Sequence, residues 1–129
     1  MKAIDTNVIA RYVTNDDPVQ SPIATAVLAN PCYISDTVLL EAAWLLASRY
    51  RFGRALLAET LSDLIELLTV AVSDAGLIRW AIERFADGAD FADMMHLISG
   101  RHADAFVSFE DDLARLAGAD TPLGIEKPR

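Results

Sequence analysis

Sulfur, histidine and positive charge are all scarce in this chain. Cys32 is the single cysteine among 129 residues, so no intramolecular disulfide can form, and this usage suits a reducing, cytoplasmic compartment. In apolar surroundings such a thiol reads as a small core residue rather than a nucleophile. The two histidines, His96 and His102, do not partner the cysteine at a zinc-ligand interval, which removes the usual grounds for a structural zinc. No apolar run approaches the roughly 18 residues of a membrane span, and Asp5 stands where a secretory leader would need continuous apolar residues. A soluble cytoplasmic protein with no membrane partner is therefore expected.

Cations are outnumbered, 11 Lys and Arg against 19 Asp and Glu, for a formal net charge of -8. That balance argues against a broad basic face for gripping nucleic acid. It leaves a nucleic-acid enzyme open, because metal ions held by carboxylates can supply the positive charge that a phosphodiester requires. The one local concentration of cations is Arg49, Arg51 and Arg54. It reads either as a basic patch or as a solvated helix end whose charges suit the C-terminal dipole.

What the chain has in abundance is apolar residues, 53% of the total, with a mean hydropathy of +0.26. At this length that is enough for one domain with a sizeable core, and no repeat or linker-like stretch divides residues 1–129. Short apolar runs alternate with helical spacing. Lys2 to Asp5 reads as a strand and Asn7 to about Val13 as a helix. "TNDDPVQSP" is turn chemistry, after which Ser21 and Pro22 supply an N-cap and a first-turn proline for a helix to about Ala29. "CYIS" is a second strand, with Ser35 or Asp36 capping a helix that runs through Arg49. Gly53 interrupts, and Arg54 to Leu68 is helical again. "TVAVSD" is a third strand, Ala75 to Ala86 a helix, and Phe91 to Ser99 another with Asp90 as N-cap. "AFVSF" is a fourth strand, Asp111 to Leu116 starts a helix, and "LGIE" is a possible edge strand. The alternation predicts an α/β fold with a mainly parallel central sheet of four to five strands flanked by helices.

In such sheets ligands bind beyond the carboxyl ends of the strands. Asp5 follows the first strand and Glu110 follows "AFVSF". Asp93 lies in the first turn of a helix, and Glu41 interrupts the apolar run "VLLEAAWLL" on the helix after the second strand. A buried, unpartnered carboxylate is costly, so Glu41 needs a companion or a route to solvent. Read singly, Asp5 is an N-cap, Asp93 a dipole partner, Glu110 a solvated loop acid and Glu41 a residue at a surface gap. Read together, four acids at equivalent positions suit a divalent metal, and all-oxygen donors favour Mg²⁺ or Mn²⁺.

The stretches "MKAIDTNVIARYVTNDDPVQ", "YISDTVLLEAAWLL", "GADFADMMHLISG" and "DAFVSFEDDLARLAG" resemble PIN-domain ribonucleases, especially the VapC-type toxins of toxin–antitoxin pairs. The resemblance implies a metal-dependent endoribonuclease of Rossmann-like fold, in which Asp5, Glu41 and Asp93 match the family's three acids. Its fourth position is usually Asp in a T-x-D pattern; here Ser108 and Glu110 stand there, and Asp112 is a further acid able to take part of the role. Thr6 and Asn7 match the residues after the first acid, Thr6 orienting Asp5 or a phosphate, or else forming a turn. His96 lies one turn beyond Asp93, in reach of substrate or else a core or supporting residue. The resemblance further implies hydrolysis of structured RNA of the tRNA or rRNA class to a 3′-hydroxyl and a 5′-phosphate. It also implies a VapB-like antitoxin and a homodimer, for which the apolar faces around Ile23 to Leu28 and Leu56 to Leu68 are candidates if they are not core. The alternatives are a PIN-fold binding module that does not cleave and a haloacid-dehalogenase-like phosphatase, whose second Asp is replaced here by Asn7. A receiver-type domain would need a late lysine other than Lys127.

Overall fold

Three helices in this chain begin where a short polar side chain accepts a backbone N–H. In the computed structural model, which describes residues 1–129, the elements are β1 (Lys2–Ala3), α1 (Thr6–Thr14), α2 (Gln20–Leu28), β2 (Cys32–Tyr33), α3 (Asp36–Ser48), α4 (Arg54–Glu66), β3 (Val70–Ala71), α5 (Ala75–Ala86), α6 (Phe91–Ser99), β4 (Phe106–Val107), α7 (Leu113–Ala117) and β5 (Ile125–Glu126). Asp5 caps α1, Ser35 caps α3 through the Val38 N–H at 3.2 Å, and Asp90 caps α6 through the Asp93 N–H at 3.0 Å. These caps satisfy donors that would otherwise be orphaned in the first helical turn.

One expected cap is corrected. Ser21 does not start α2. Val19 stands at the N-cap, and Asp17 two residues before it takes the free donors, its Oδ1 accepting from the N–H groups of Val19 and Gln20 at 2.9 and 2.7 Å, while Ser21 Oγ accepts the Asp17 N–H at 3.2 Å. The acceptor thus lies four residues earlier than the Ser–Pro pair suggests. Ser21, buried inside the first turn, returns the bond as in a capping box.

The chain divides into two units, Met1–Ala75 and Gly76–Arg129. In the first, β1, β2 and β3 form a parallel sheet in that order, registered Lys2 to Cys32 to Val70. The helical pairs α1–α2 and α3–α4 make the crossovers that parallel neighbours require. Ile9, Ile34, Leu39, Leu46 and Leu61 are wholly buried here, each contributing about 2 kcal/mol through removal of apolar surface from water. In the second unit β4 and β5 pair in parallel, Phe106 with Ile125, and Ile78, Met94, Leu97 and Ile98 are buried. All five strands pair in parallel, as the α/β reading requires; they hydrogen-bond as a set of three and a set of two. Cys32 is a buried core thiol, and burial pushes its pKa up.

Most of the two apolar helical faces is core: Ala24 and Leu28 on α2, and Leu57, Leu61, Leu64 and Ile65 on α4, are buried. Ile23, Leu56 and Leu68 remain exposed. No helix is long and apolar enough to cross a membrane.

Candidate functional site

In the first unit the parallel strands β1 and β2 end toward the same edge, and each is followed by a helix whose start is fixed by a cap. Asp5 stands between β1 and α1, extended at φ -90° and ψ 163°, and its Oδ1 accepts the Thr6 N–H at 2.8 Å. Thr6 is buried, and its hydroxyl donates to Glu41 Oε1 on α3 at 2.5 Å. One residue therefore holds two carboxylates, Asp5 through its backbone and Glu41 through its side chain. The expectation that the Thr6 hydroxyl orients Asp5 is corrected by this bond. A side chain on the first residue of α1 points back from the helix start, and there it meets α3 rather than the preceding acid.

Glu41 has both a partner and access to water: its residue is exposed, while its helix neighbours Ala42 and Ala43 are buried. The apolar run around it is a wide buried stripe with a narrow polar face, so no isolated charge is buried. Asn7 is exposed on the first turn of α1.

In the second unit Asp93 is half-buried in the first turn of α6, its backbone tied to Asp90. Burial raises its carboxyl pKa above the usual range, the negative charges of Asp90 and Glu110 raise it further, and His96 opposes them. Like charges crowded together disfavour ionisation. Glu110 is exposed after β4, and its N–H donates to Ser108 Oγ at 3.1 Å, so Ser108 shapes the turn that presents the acid. His96 is solvent-exposed, which overturns a core role. Asp112 lies 3.3 Å from Arg115, and Asp111 bonds Lys127, which holds its carboxyl below the usual range.

The side chains in place offer oxygen donors of the hard, anionic kind that Mg²⁺ and Mn²⁺ prefer. No three His, Cys, Asp or Glu side chains are gathered as a ready metal cluster. The Thr6–Glu41 bond, between residues 35 positions apart, has no signal in the sequence. Two further features lay outside the sequence expectations. Trp44 protrudes into solvent, a placement that its i, i+3 spacing from Glu41 signals. Tyr50 donates to Asp16 Oδ2 at 3.2 Å and accepts from Arg11 Nη1 at 3.3 Å, tying the end of α3 to the α1–α2 turn.

No curated protein matches the chain. The family description PIN domain, typical of nucleases, matches residues 2–119, a span that takes in both units and all four candidate acids; the chain belongs to the PIN domain family.

Proposed function

We propose that the protein is a divalent-metal-dependent endoribonuclease, the toxin component of a VapC-type toxin–antitoxin pair, with residues 1–129 acting as one PIN domain. Membership of a family whose members are generally nucleases supports a hydrolase acting on nucleic acids. The observation that carries the reading is Thr6 holding Asp5 and Glu41 at once, each with oxygens left for a further partner. Asp5 and Glu41 in the first unit are proposed ligands of Mg²⁺ or Mn²⁺, and so, in the second unit, are Asp93 and Glu110, with Asp112 as a subsidiary acid. When bound, such a cation supplies a water acidic enough to attack at neutral pH and offsets charge on the phosphoryl oxygens.

The chain's own residues do the rest. Thr6 fixes the Glu41 carboxylate so that its orientation is set before substrate arrives, which lowers the reorganisation needed for reaction. Ser108 presents Glu110, and Asp90 sets the backbone of Asp93. The crowding that disfavours ionised Asp93 is relieved by a nearby positive charge, so cation affinity and proton affinity compete there. No protein nucleophile is required. An RNA of the tRNA or rRNA class, a VapB-like antitoxin and a second copy of the chain are the proposed partners.

The test is RNA cleavage in Mn²⁺ or Mg²⁺ beside the same mixture in EDTA, with Glu41→Gln as the variant. Cleavage by the wild type that stops on chelation, and a folded but inactive Glu41→Gln, are expected. Cleavage that survives EDTA overturns the metal chemistry, and a wild type that cleaves no RNA with either ion leaves a PIN-fold binding module.

A further inference from the structure

The exposed face of α3 leads from Glu41 to a turn of arginines. Glu41, Trp44 and Ser48 recur at i, i+3 and i+7, the spacing of one helix face, and all three are exposed while Leu39, Ala42, Ala43 and Leu46 are buried. Trp44 is 68% exposed, a large ring left in water between polar neighbours. Arg49 follows at the end of the helix, about 12 Å along the axis from Glu41 at 1.5 Å per residue.

There the chain alternates. Tyr50 and Phe52 are half-buried, while Arg49 and Arg51 are exposed. The turn is pinned from beneath: the Tyr50 hydroxyl is engaged by Asp16 and Arg11, and the Phe52 N–H donates to the Leu46 carbonyl at 3.0 Å. Arg51 adopts φ +58°, a left-handed conformation unfavourable for a residue with a Cβ and ordinarily left to glycine or asparagine. The Phe52 N–H bond to the Leu46 carbonyl closes the end of α3 across this left-handed residue, so helix closure sets the backbone at position 51 and leaves the arginine's charge in solvent. No Asp or Glu lies between Glu41 and Glu59, although the chain has 19 of them.

We propose that the outer face of α3 and the Arg49–Phe52 turn form a track for single-stranded RNA, with Trp44 stacking on a base and Arg49 and Arg51 holding backbone phosphates. The proposal rests on the nuclease reading in that Glu41 stands at one end of the track. Single-stranded nucleic acid is bound by this combination of an aromatic platform and a short run of cations, since every base has a ring face and every nucleotide a phosphate. A duplex keeps its bases stacked on one another, so an exposed ring on a convex helix reaches only an unpaired base. A protein partner would be favoured by contiguous apolar surface around Trp44; of its neighbours at three and four residues, Glu41 and Ser48 are polar, Ala47 exposes a single methyl and Leu40 is half-buried.

The experiment uses the full chain in EDTA with a short fluorescent single-stranded RNA and follows tryptophan emission and RNA anisotropy. The only other tryptophan, Trp80, is half-buried, so RNA is expected to quench the wild type chiefly through Trp44. Trp44→Ala should weaken binding about ten-fold. The double variant Arg49→Gln, Arg51→Gly should lower the slope of log affinity against log salt by about 1.4, because two phosphates of a single strand are then no longer neutralised. A charge-matched control, Lys2→Gln with Arg129→Gln, should keep the wild-type slope. Glycine removes the strain at position 51, so a cooperative thermal transition is retained and lost binding is not lost fold.

Absence of quenching, or variants that bind like the control, overturns the track. So does equal displacement of RNA by polyglutamate. A wild-type self-associated species that Trp44→Ala dissociates also overturns it, because the ring is then covered by a second copy. Cleavage in Mn²⁺ is scored separately. Wild-type cleavage with unchanged KM in the Trp44 and arginine variants removes the track and keeps the nuclease; quenching and salt slope as expected without cleavage does the reverse.

Discussion

Thr6 joins Glu41 to the start of α1: its hydroxyl donates to Glu41 Oε1 at 2.5 Å, and its own N–H donates to Asp5 Oδ1 at 2.8 Å. The donor is buried and the acceptor residue is exposed, so the bond serves the placement of Glu41 more than the stability of the core. Thr6→Val keeps the shape and removes the hydroxyl. Because water can replace the lost donor at Glu41, stability should change by less than about 1 kcal/mol. RNA cleavage should fall about ten-fold, the equivalent of roughly 1.4 kcal/mol of lost orientation, and Thr6→Ser should restore it. Urea unfolding beside initial cleavage rates decides; a valine variant that loses several kcal/mol of stability while cleaving normally would make the bond structural.

Asp93 carries its raised carboxyl pKa because of burial first and the charges of Asp90 and Glu110 next. With the folded value above the unfolded one, the folded protein takes up the proton more readily. The group's unfavourable contribution is therefore present at neutral pH and is relieved as pH falls through the raised pKa. In EDTA, Asp93→Asn should melt about 2 °C higher than wild type at neutral pH, a small gain because the group is partly exposed and screened. The gap should close on acidification. Melting curves of the two proteins that run parallel across that pH range would contradict the assignment.

Asp17 works in the opposite direction. The Gln20 and Val19 N–H groups hold its carboxyl below the usual range, so its contribution is present above the unfolded pKa and is lost as pH falls through the depressed folded value. Asp17→Ala should lower the urea midpoint at neutral pH by removing the acceptor for the free N–H groups at the start of α2. The two proteins should converge in strong acid, and Asp17→Asn, which keeps an acceptor without the charge, should fall between them at neutral pH. A difference that persists unchanged into strong acid would mean that the carboxylate charge is irrelevant to the helix start.

Gly118 ends α7 at φ +78°, and a Cβ there would stand 3.1 Å from Arg84 Nη1. Gly118→Ala should cost about 1 kcal/mol or more, since alanine is strained in that region and the guanidinium, itself paired with Asp87 at 2.7 Å, must shift. Denaturant unfolding measures it; a neutral result would show that the helix end rearranges freely.

Much of the architecture is local and was readable. Ser35 and Asp90 lie where a cap must precede an apolar periodic run, and both are caps. Gly53 separates two helices because neither has a reason to continue through it. Asp17 displaced Ser21 as the acceptor at the start of α2 because two acceptors lay within a turn of each other. The N–H groups of Val19 and Gln20 chose between them.

Sequence alone determined the alternation of strand and helix, the burial of Cys32 and the acids that follow the first and fourth strands, because capping and periodicity act within a few residues. Only the tertiary structure decided that the strands pair as three and two and that Glu41 answers to Thr6. Those outcomes depend on which distant backbone returns to the same place, and no local propensity carries that information.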